Sequence, residues 1–244
     1  MTVKKYARIA LECLDLTSLD EKDNEEKIKQ ICDKAVGNYG TVAAVCIRPQ
    51  FIELAKGILK NSNVKTATVI NFPRGDMDAK QAVLEAKTAK DTGVDEIELV
   101  YPYHKYLAGD KEAANDVLRA VREECKGLVL KVTIETGAIQ KALHIARITK
   151  ECATNGADFI KTSTGMIEIG ATPESANAVL EAIKESGNKK LGFKAAGHID
   201  NIEQARSYID IATSIMGEKY INPKTFRIGA SYKLFNSIIS TLGY

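Results

Sequence analysis

Short runs of β-branched and apolar residues alternate along this chain with longer amphipathic stretches, the pattern of a parallel sheet joined by crossover helices. Strands are predicted at residues 42–47, 67–70, 96–100, 129–134, 159–161, 191–194, 211–216 and 226–228. Helical patterns run between them, over residues 78–92, 111–125, 139–155 and 173–186. Thr172 followed by Pro173 reads as an N-cap and first helical position, and Gly187 lies just past the last turn of that helix. Asn155 and Gly156 close the helix before it. Two more helical patterns fill residues 4–36, ahead of the first predicted strand.

Eight strands, each followed by room for a helix, in a chain of 244 residues suggest a single-domain TIM (β/α)8 barrel spanning residues 1–244. The two N-terminal helical patterns are then expected to cap the bottom of the barrel. A doubly wound open sheet is the alternative. Against it, no glycine-rich nucleotide loop follows the first predicted strand.

Composition adds mainly exclusions. Hydrophobic residues make up 45% and charged residues 27%, close to globular averages, and a net charge of +2 gives no reason to expect a nucleic-acid or membrane partner. The five cysteines, Cys13, Cys32, Cys46, Cys125 and Cys152, show no metal-ligand spacing and read as reduced thiols. Charged residues interrupt the first fourteen positions, so no signal-peptide core or membrane span is placed there, and a cytoplasmic setting is expected.

Barrels place their chemistry at the C-terminal ends of their strands. Those ends offer Cys46, Asn71, Glu98, Lys131, Lys161, Lys194 and the turn Gly229, Ala230, Ser231. Three lysines and a carboxylate would thus project into one mouth. Neighbouring ammonium groups repel and burial disfavours charge, so at least one lysine is expected to have a lowered pKa and to attack carbonyls. The other lysine and Glu98 would move protons during imine formation. An anion-binding cluster of charged lysines is the alternative. Gly197 and the turn from Gly229 could present N–H groups to a phosphate, or simply make tight turns.

These residues also carry a resemblance. The stretches LDLT from Leu14, AAVCI from Ala43, NFP from Asn71, LKVTIETG from Leu130, FIKTSTG from Phe159, ATPES from Ala171, GFK from Gly192 and RIGAS from Arg227 resemble the deoxyribose-phosphate aldolases, class I aldolases with a TIM-barrel fold. The resemblance implies reversible cleavage of 2-deoxy-D-ribose 5-phosphate to D-glyceraldehyde 3-phosphate and acetaldehyde, without metal or other cofactor. It implies that Lys161 forms the imine, that Lys194 perturbs it and transfers protons, and that Lys131 lies under the site. Thr17, Cys46, Thr164, Gly165, Gly197, His198, Gly229 and Ser231 would bind the substrate, a small sugar phosphate or aldehyde. A homodimer is the expected assembly.

Four places depart from the family pattern. Glu98 stands where aspartate is usual, and its extra methylene is expected to displace the carboxylate by about 1.5 Å and slow the reaction. Met166 replaces a lysine, and His198, Ile199 and Asp200 replace a Gly-[IV]-Arg run, so the phosphate end loses two cations and gains an anion. Tyr232 replaces a small residue and is expected to crowd the same place. The chain ends at Tyr244, without the longer tail that some relatives fold over the site.

These departures keep open a lysine-dependent aldolase for an unphosphorylated acceptor, and a catalytically impaired binding protein. A phosphate-binding isomerase would not need paired lysines. Tyr101, Tyr103 and Tyr106 are candidates for the barrel rim and Arg74 for a substrate contact, whereas His104 and His144 read as loop and helix-surface residues.

Overall fold

Eight parallel strands close on themselves, β1 pairing with both β2 and β8. The computed structural model describes residues 1–244. In chain order the elements are α1 (Val3–Glu12), β1 (Leu14–Ser18), α2 (Glu25–Ala35), β2 (Ala44–Ile47), α3 (Ile52–Leu59), β3 (Lys65–Ile70), α4 (Ala79–Asp91), β4 (Glu96–Val100), α5 (Tyr103–Leu107), α6 (Lys111–Glu124), β5 (Val129–Thr133), α7 (Thr136–Ile139), α8 (Ala142–Thr154), β6 (Phe159–Lys161), α9 (Pro173–Glu185), β7 (Gly192–Ala196), α10 (Ile202–Met216), β8 (Phe226–Ala230) and α11 (Tyr232–Leu242). No helix is long and apolar enough to cross a membrane.

Strand side chains alternate between two environments. Leu16, Val45, Ile97, Leu130, Ile160, Phe193 and Ile228 join one large apolar cluster with the helices. The alternate positions point into the barrel. On β2 and β3 they are apolar, and Ala44, Cys46, Ala67 and Val69 form a small separate cluster with Leu19. On β1 and β4 to β8 they include Asp15, Glu96, Glu98, Lys131, Lys161, Lys194 and Arg227, all buried. Every strand but β2 and β3 therefore puts a buried charge into the barrel interior.

Two sequence expectations fail here. Residues 14–18 form β1, so only α1 precedes the barrel, and it packs along α10 and α11 instead of closing the bottom. The apolar run at 14–18 is interrupted by Asp15 and Thr17, which face the charged interior, and so it looks like a continuation of the flanking helices. Residues 211–216 are the end of α10, not a strand. Their β-branched residues continue a stripe of Ile202, Ala205, Ile209 and Ala212 that begins at a capping box between Asn201 and Gln204.

The helix starts are specified locally. Asp78 caps α4 through a reciprocal bond with Gln81, and Thr172 caps α9 through Ser175, with Pro173 in the first turn. Thr172 Oγ1 accepts the Ser175 N–H at 3.1 Å while Ser175 Oγ accepts the Thr172 N–H at 3.1 Å. Thr172→Ala should lower stability by about 1 kcal/mol, which a denaturant midpoint would read. An unchanged midpoint would mean that tertiary contacts alone hold this end. The helix predicted from 139 begins instead at Ala142, because Gln140 sits at φ +57 and separates it from the short α7.

Candidate active site

Strand register sets the site. Glu98 lies beside Lys131 across β4 and β5, Lys161 beside Lys194 across β6 and β7, and Lys194 beside Arg227 across β7 and β8. Lys161 Nζ donates to Glu98 Oε2 at 2.7 Å. Lys131 donates to Glu98 Oε1 at 3.3 Å and to Asp15 Oδ2 at 2.5 Å, and it pairs with Glu96 Oε2 at 2.6 Å. Lys194 donates to the same Asp15 oxygen at 2.7 Å and to Glu98 Oε1. Glu98 is the one carboxylate that touches all three lysines.

The expected four-group mouth is thus resolved into two depths. Lys131, Lys194 and Glu98 have no exposed surface, whereas Lys161 keeps 3% and forms the floor of a cavity of about 220 Å³. Lys161 alone among the three lysines reaches space that a substrate could occupy.

A lowered lysine pKa was expected from burial and from the neighbouring ammonium groups. Burial does disfavour the Lys161 ammonium, but attraction to Glu98 outweighs it and holds Lys161 above its ordinary value. The same competition raises Lys131, through Asp15, Glu96 and Glu98. Conversely, burial opposes ionisation of Glu98, yet Lys161, Lys194 and Lys131 together hold it well below the usual carboxylate range. Lys161, Lys131 and Glu98 thus hold one another in their charged forms. Asp15 and Glu96, which no strand end marks in the sequence, add two negative charges to that of Glu98, and the expected direction for Lys161 is reversed.

Above Lys161 the cavity is walled by Thr17, Thr164, Gly165, Gly197, His198, Gly229 and Ser231, all expected substrate contacts. Gly165 and Gly197 have φ of +81 and +92. A Cβ on Gly197 would come within 2.9 Å of the Gly170 backbone, so both the turn and the close approach require glycine. Gly229 has a different reason: a Cβ there would lie 2.6 Å from Lys194 Cε, so its missing side chain makes room for the lysine. Ser231 caps α11, the helix that starts at the cavity edge. Cys46, by contrast, is fully buried on the apolar side formed by β2 and β3, with its thiol pushed up to about 12 by burial, and is not part of the cavity wall.

A buried carboxylate unforeseen from sequence shapes this wall. Glu135, at φ +56 just after β5, accepts the Thr164 hydroxyl at 2.5 Å and the Thr164 N–H at 3.3 Å. Thr164 Oγ1 in turn accepts the Met166 N–H at 3.1 Å, which fixes the turn through Gly165. Burial raises Glu135 above the ordinary carboxylate value.

A family model described as DeoC/LacD family aldolase matches residues 9–232. The chain belongs to this aldolase family. This DeoC/LacD aldolase is 42% identical over 230 residues to the deoxyribose-phosphate aldolase of Agrobacterium fabrum, covering 93% of this chain and 88% of that protein. Its fold matches a Toxoplasma gondii protein assigned as a deoxyribose-phosphate aldolase, with a TM-score of 0.90 at 21% identity, over 98% of this chain and 94% of that one. It also matches the tetrameric deoxyribose phosphate aldolase of Aeropyrum pernix, with a TM-score of 0.76 at 22% identity, over 98% and 97% of the two chains. At those identities the two structures speak for the barrel alone.

Within this aldolase the departures from the family pattern take definite places. Glu98 is not displaced from the lysines: its longer side chain reaches Lys161 at hydrogen-bond distance. Asp200 is neutralised by Lys233, whose Nζ lies 3.2 Å from Oδ2 and which also lines the cavity. Lys233 was missed because it lies on the first turn of α11, beyond any strand end. The ring of His198 engages the Ile167 carbonyl at 3.0 Å, and Met166 is exposed. Tyr232 does not crowd the cavity, since its ring lies under Lys27 and Lys34, with their Nζ atoms 4.2 and 4.7 Å from the centroid.

Other candidates fall outside. Arg74 pairs with Asp76 at 2.9 Å on the surface. Tyr101 and Tyr106 are buried beneath the rim and donate to Asn115 and Glu151 at 2.8 and 3.1 Å. Tyr103 is also buried, with exposed His104 against its ring. Half-buried His144 lies on α8. Tyr244 packs against Tyr39, ring centroids 5.9 Å apart, and does not line the cavity.

Proposed function

We propose that this aldolase reversibly cleaves 2-deoxy-D-ribose 5-phosphate to D-glyceraldehyde 3-phosphate and acetaldehyde through an imine on Lys161. The observation that carries this reading is the placement of Lys161, the one strand lysine on the cavity floor, 2.7 Å from a buried carboxylate. The Agrobacterium fabrum relative bears the same activity in its name.

The chemistry follows from the contacts. Lys161 rests as an ammonium, so its proton must leave before it attacks the substrate C1 carbonyl, and Glu98 is the acceptor in reach. Loss of water from the carbinolamine gives a protonated imine. That imine draws the electrons of the C2–C3 bond as the C3 hydroxyl loses its proton, releasing glyceraldehyde 3-phosphate and leaving an enamine. Protonation at C2 and hydrolysis then free acetaldehyde and regenerate the amine. Glu98 can cycle one proton through these steps, passing it from Lys161 to the departing hydroxyl and from the C3 hydroxyl to C2. Lys194, joined to Glu98 but closed off from the cavity, lends and takes back a proton along their hydrogen bond, and Lys131 also donates to the carboxylate.

The phosphate is read at the wall above Lys161 by the N–H groups of Gly165 and Gly197 themselves, by Ser231 at the start of α11, and by Lys233. On this reading Lys233 stands in for the missing family cations once the phosphate draws it from Asp200. Lys233→Ala should raise KM for the 5-phosphate about tenfold while leaving kinetics with 2-deoxyribose unchanged. Equal kcat/KM for the two sugars in the parent enzyme would instead favour an unphosphorylated substrate, a reading that Asp200 at the cradle supports. A cytoplasmic setting fits the five unpaired, buried thiols.

A further inference from the structure

The charged interior continues below the catalytic lysines to the other end of the barrel. Arg227 donates to Asp15 Oδ1 at 2.5 Å and to Glu96 Oε1 at 2.9 Å. Glu96 pairs through its second oxygen with Lys131, which also holds Asp15 and Glu98. Arg227 and Glu96 line a cavity of about 500 Å³ that includes Thr41, Asn63 and Pro223, residues at the N-terminal ends of the strands. They do not line the cavity above Lys161.

A charge count gives this pair a function. At formal charge the ion-paired Asp15, Glu96 and Glu98 balance Lys131, Lys194 and Arg227, which leaves Lys161 as the one excess cation in the cluster. The other titratable groups near Lys161 are Cys46 on β2, its thiol held neutral by burial, and Glu135 after β5. Inside the barrel, β3 contributes Ala67 and Val69 beside Cys46, and at the lower cavity Lys65, which with Glu12 and Lys224 makes up the other charged lining around Glu96 and Arg227.

We propose that Glu96 and Arg227 are positioning residues that govern, from the far end of the barrel, how readily Lys161 gives up its proton. The route is through shared partners. Without the Glu96 charge, Lys131 turns to Asp15 and Glu98, and Glu98 holds the Lys161 ammonium less tightly. Without the Arg227 charge, Asp15 draws Lys131 and Lys194 toward itself, and Glu98 is left to hold Lys161 more tightly. The two losses therefore act in opposite directions.

This inference rests on the imine reading, and its test separates the two. Lys161 labelling by acetaldehyde with cyanoborohydride is followed by peptide mass spectrometry from pH 6 to pH 9, beside the acidic limb of kcat/KM. Glu96→Gln should label about three- to tenfold faster at pH 7, with the limb moved to lower pH. Arg227→Gln should label slower by a similar factor, with the limb moved to higher pH, and Glu96→Gln/Arg227→Gln should return to the parent profile. Glu96→Asp, which restores the charge, should reverse the Glu96→Gln shift. Shifts of the same sign, or unmoved limbs in folded variants, would overturn the proposal. Each single variant carries its own sign, so either decides alone if the other does not fold. No labelling of Lys161 in the parent enzyme would overturn the imine reading itself.

Discussion

Lys161→Met should lower kcat for cleavage of 2-deoxyribose 5-phosphate by roughly 10⁴-fold or more and abolish the reducible acetaldehyde adduct. Removal of a nucleophile eliminates the covalent route; it does not merely weaken one contact. Methionine approximates the length of the lysine stem, so the floor stays filled, and the remaining cluster of three acids, two lysines and Arg227 is balanced in charge. The variant should therefore fold, and a parallel thermal melt checks this. Retention of more than a few per cent of activity in folded protein would mean that another amine carries the imine.

Glu98→Gln should have the second largest effect, on rate and stability together. It leaves Lys161 without its carboxylate partner and weakens the hold on Lys131 and Lys194, which like Glu98 have no exposed surface. Breaking a buried ion pair from one side typically costs about 3–5 kcal/mol, which in a domain of this size lowers the melting temperature by about 10 °C. Losing the proton acceptor should reduce kcat by about 10²–10⁴-fold. Glu98→Asp, which restores the family's usual residue, should not improve the enzyme. It withdraws the carboxylate by about 1.5 Å from a lysine now in hydrogen-bond contact, and a displacement of that order can cost about a hundredfold. A faster Glu98→Asp variant would show that this barrel has not adapted to glutamate.

The barrel was legible because strand and helix periods alternate with well-marked helix starts such as Thr172 and Pro173. The lysines of β5 to β7 were legible because each interrupts or ends an apolar run, although only Lys161 is the last residue of its strand. The rest of the cluster was hidden by the same habit of reading. Glu96, two positions before Glu98, and Arg227, two before Gly229, point to the same interior face, but a polar residue every second position ordinarily signals a strand face turned to water. Asp15 was hidden further, because it lies on a strand taken for helix. A closed barrel with a charged interior inverts the usual reading of alternation. Likewise, Glu135 and Lys233 lie in segments beyond strand ends, where only the three-dimensional course of the chain brings them to Thr164 and Asp200.

The central claim is that Lys161 and no other lysine forms the bond to substrate. Its most direct test is to incubate the parent enzyme with 2-deoxyribose 5-phosphate, reduce with borohydride, and locate the added mass by peptide mapping while glyceraldehyde 3-phosphate release is measured in the same sample. The account predicts a single adduct on Lys161, formed in proportion to lost activity. An adduct on Lys194 or Lys131, or steady cleavage with no adduct on any lysine, would contradict it.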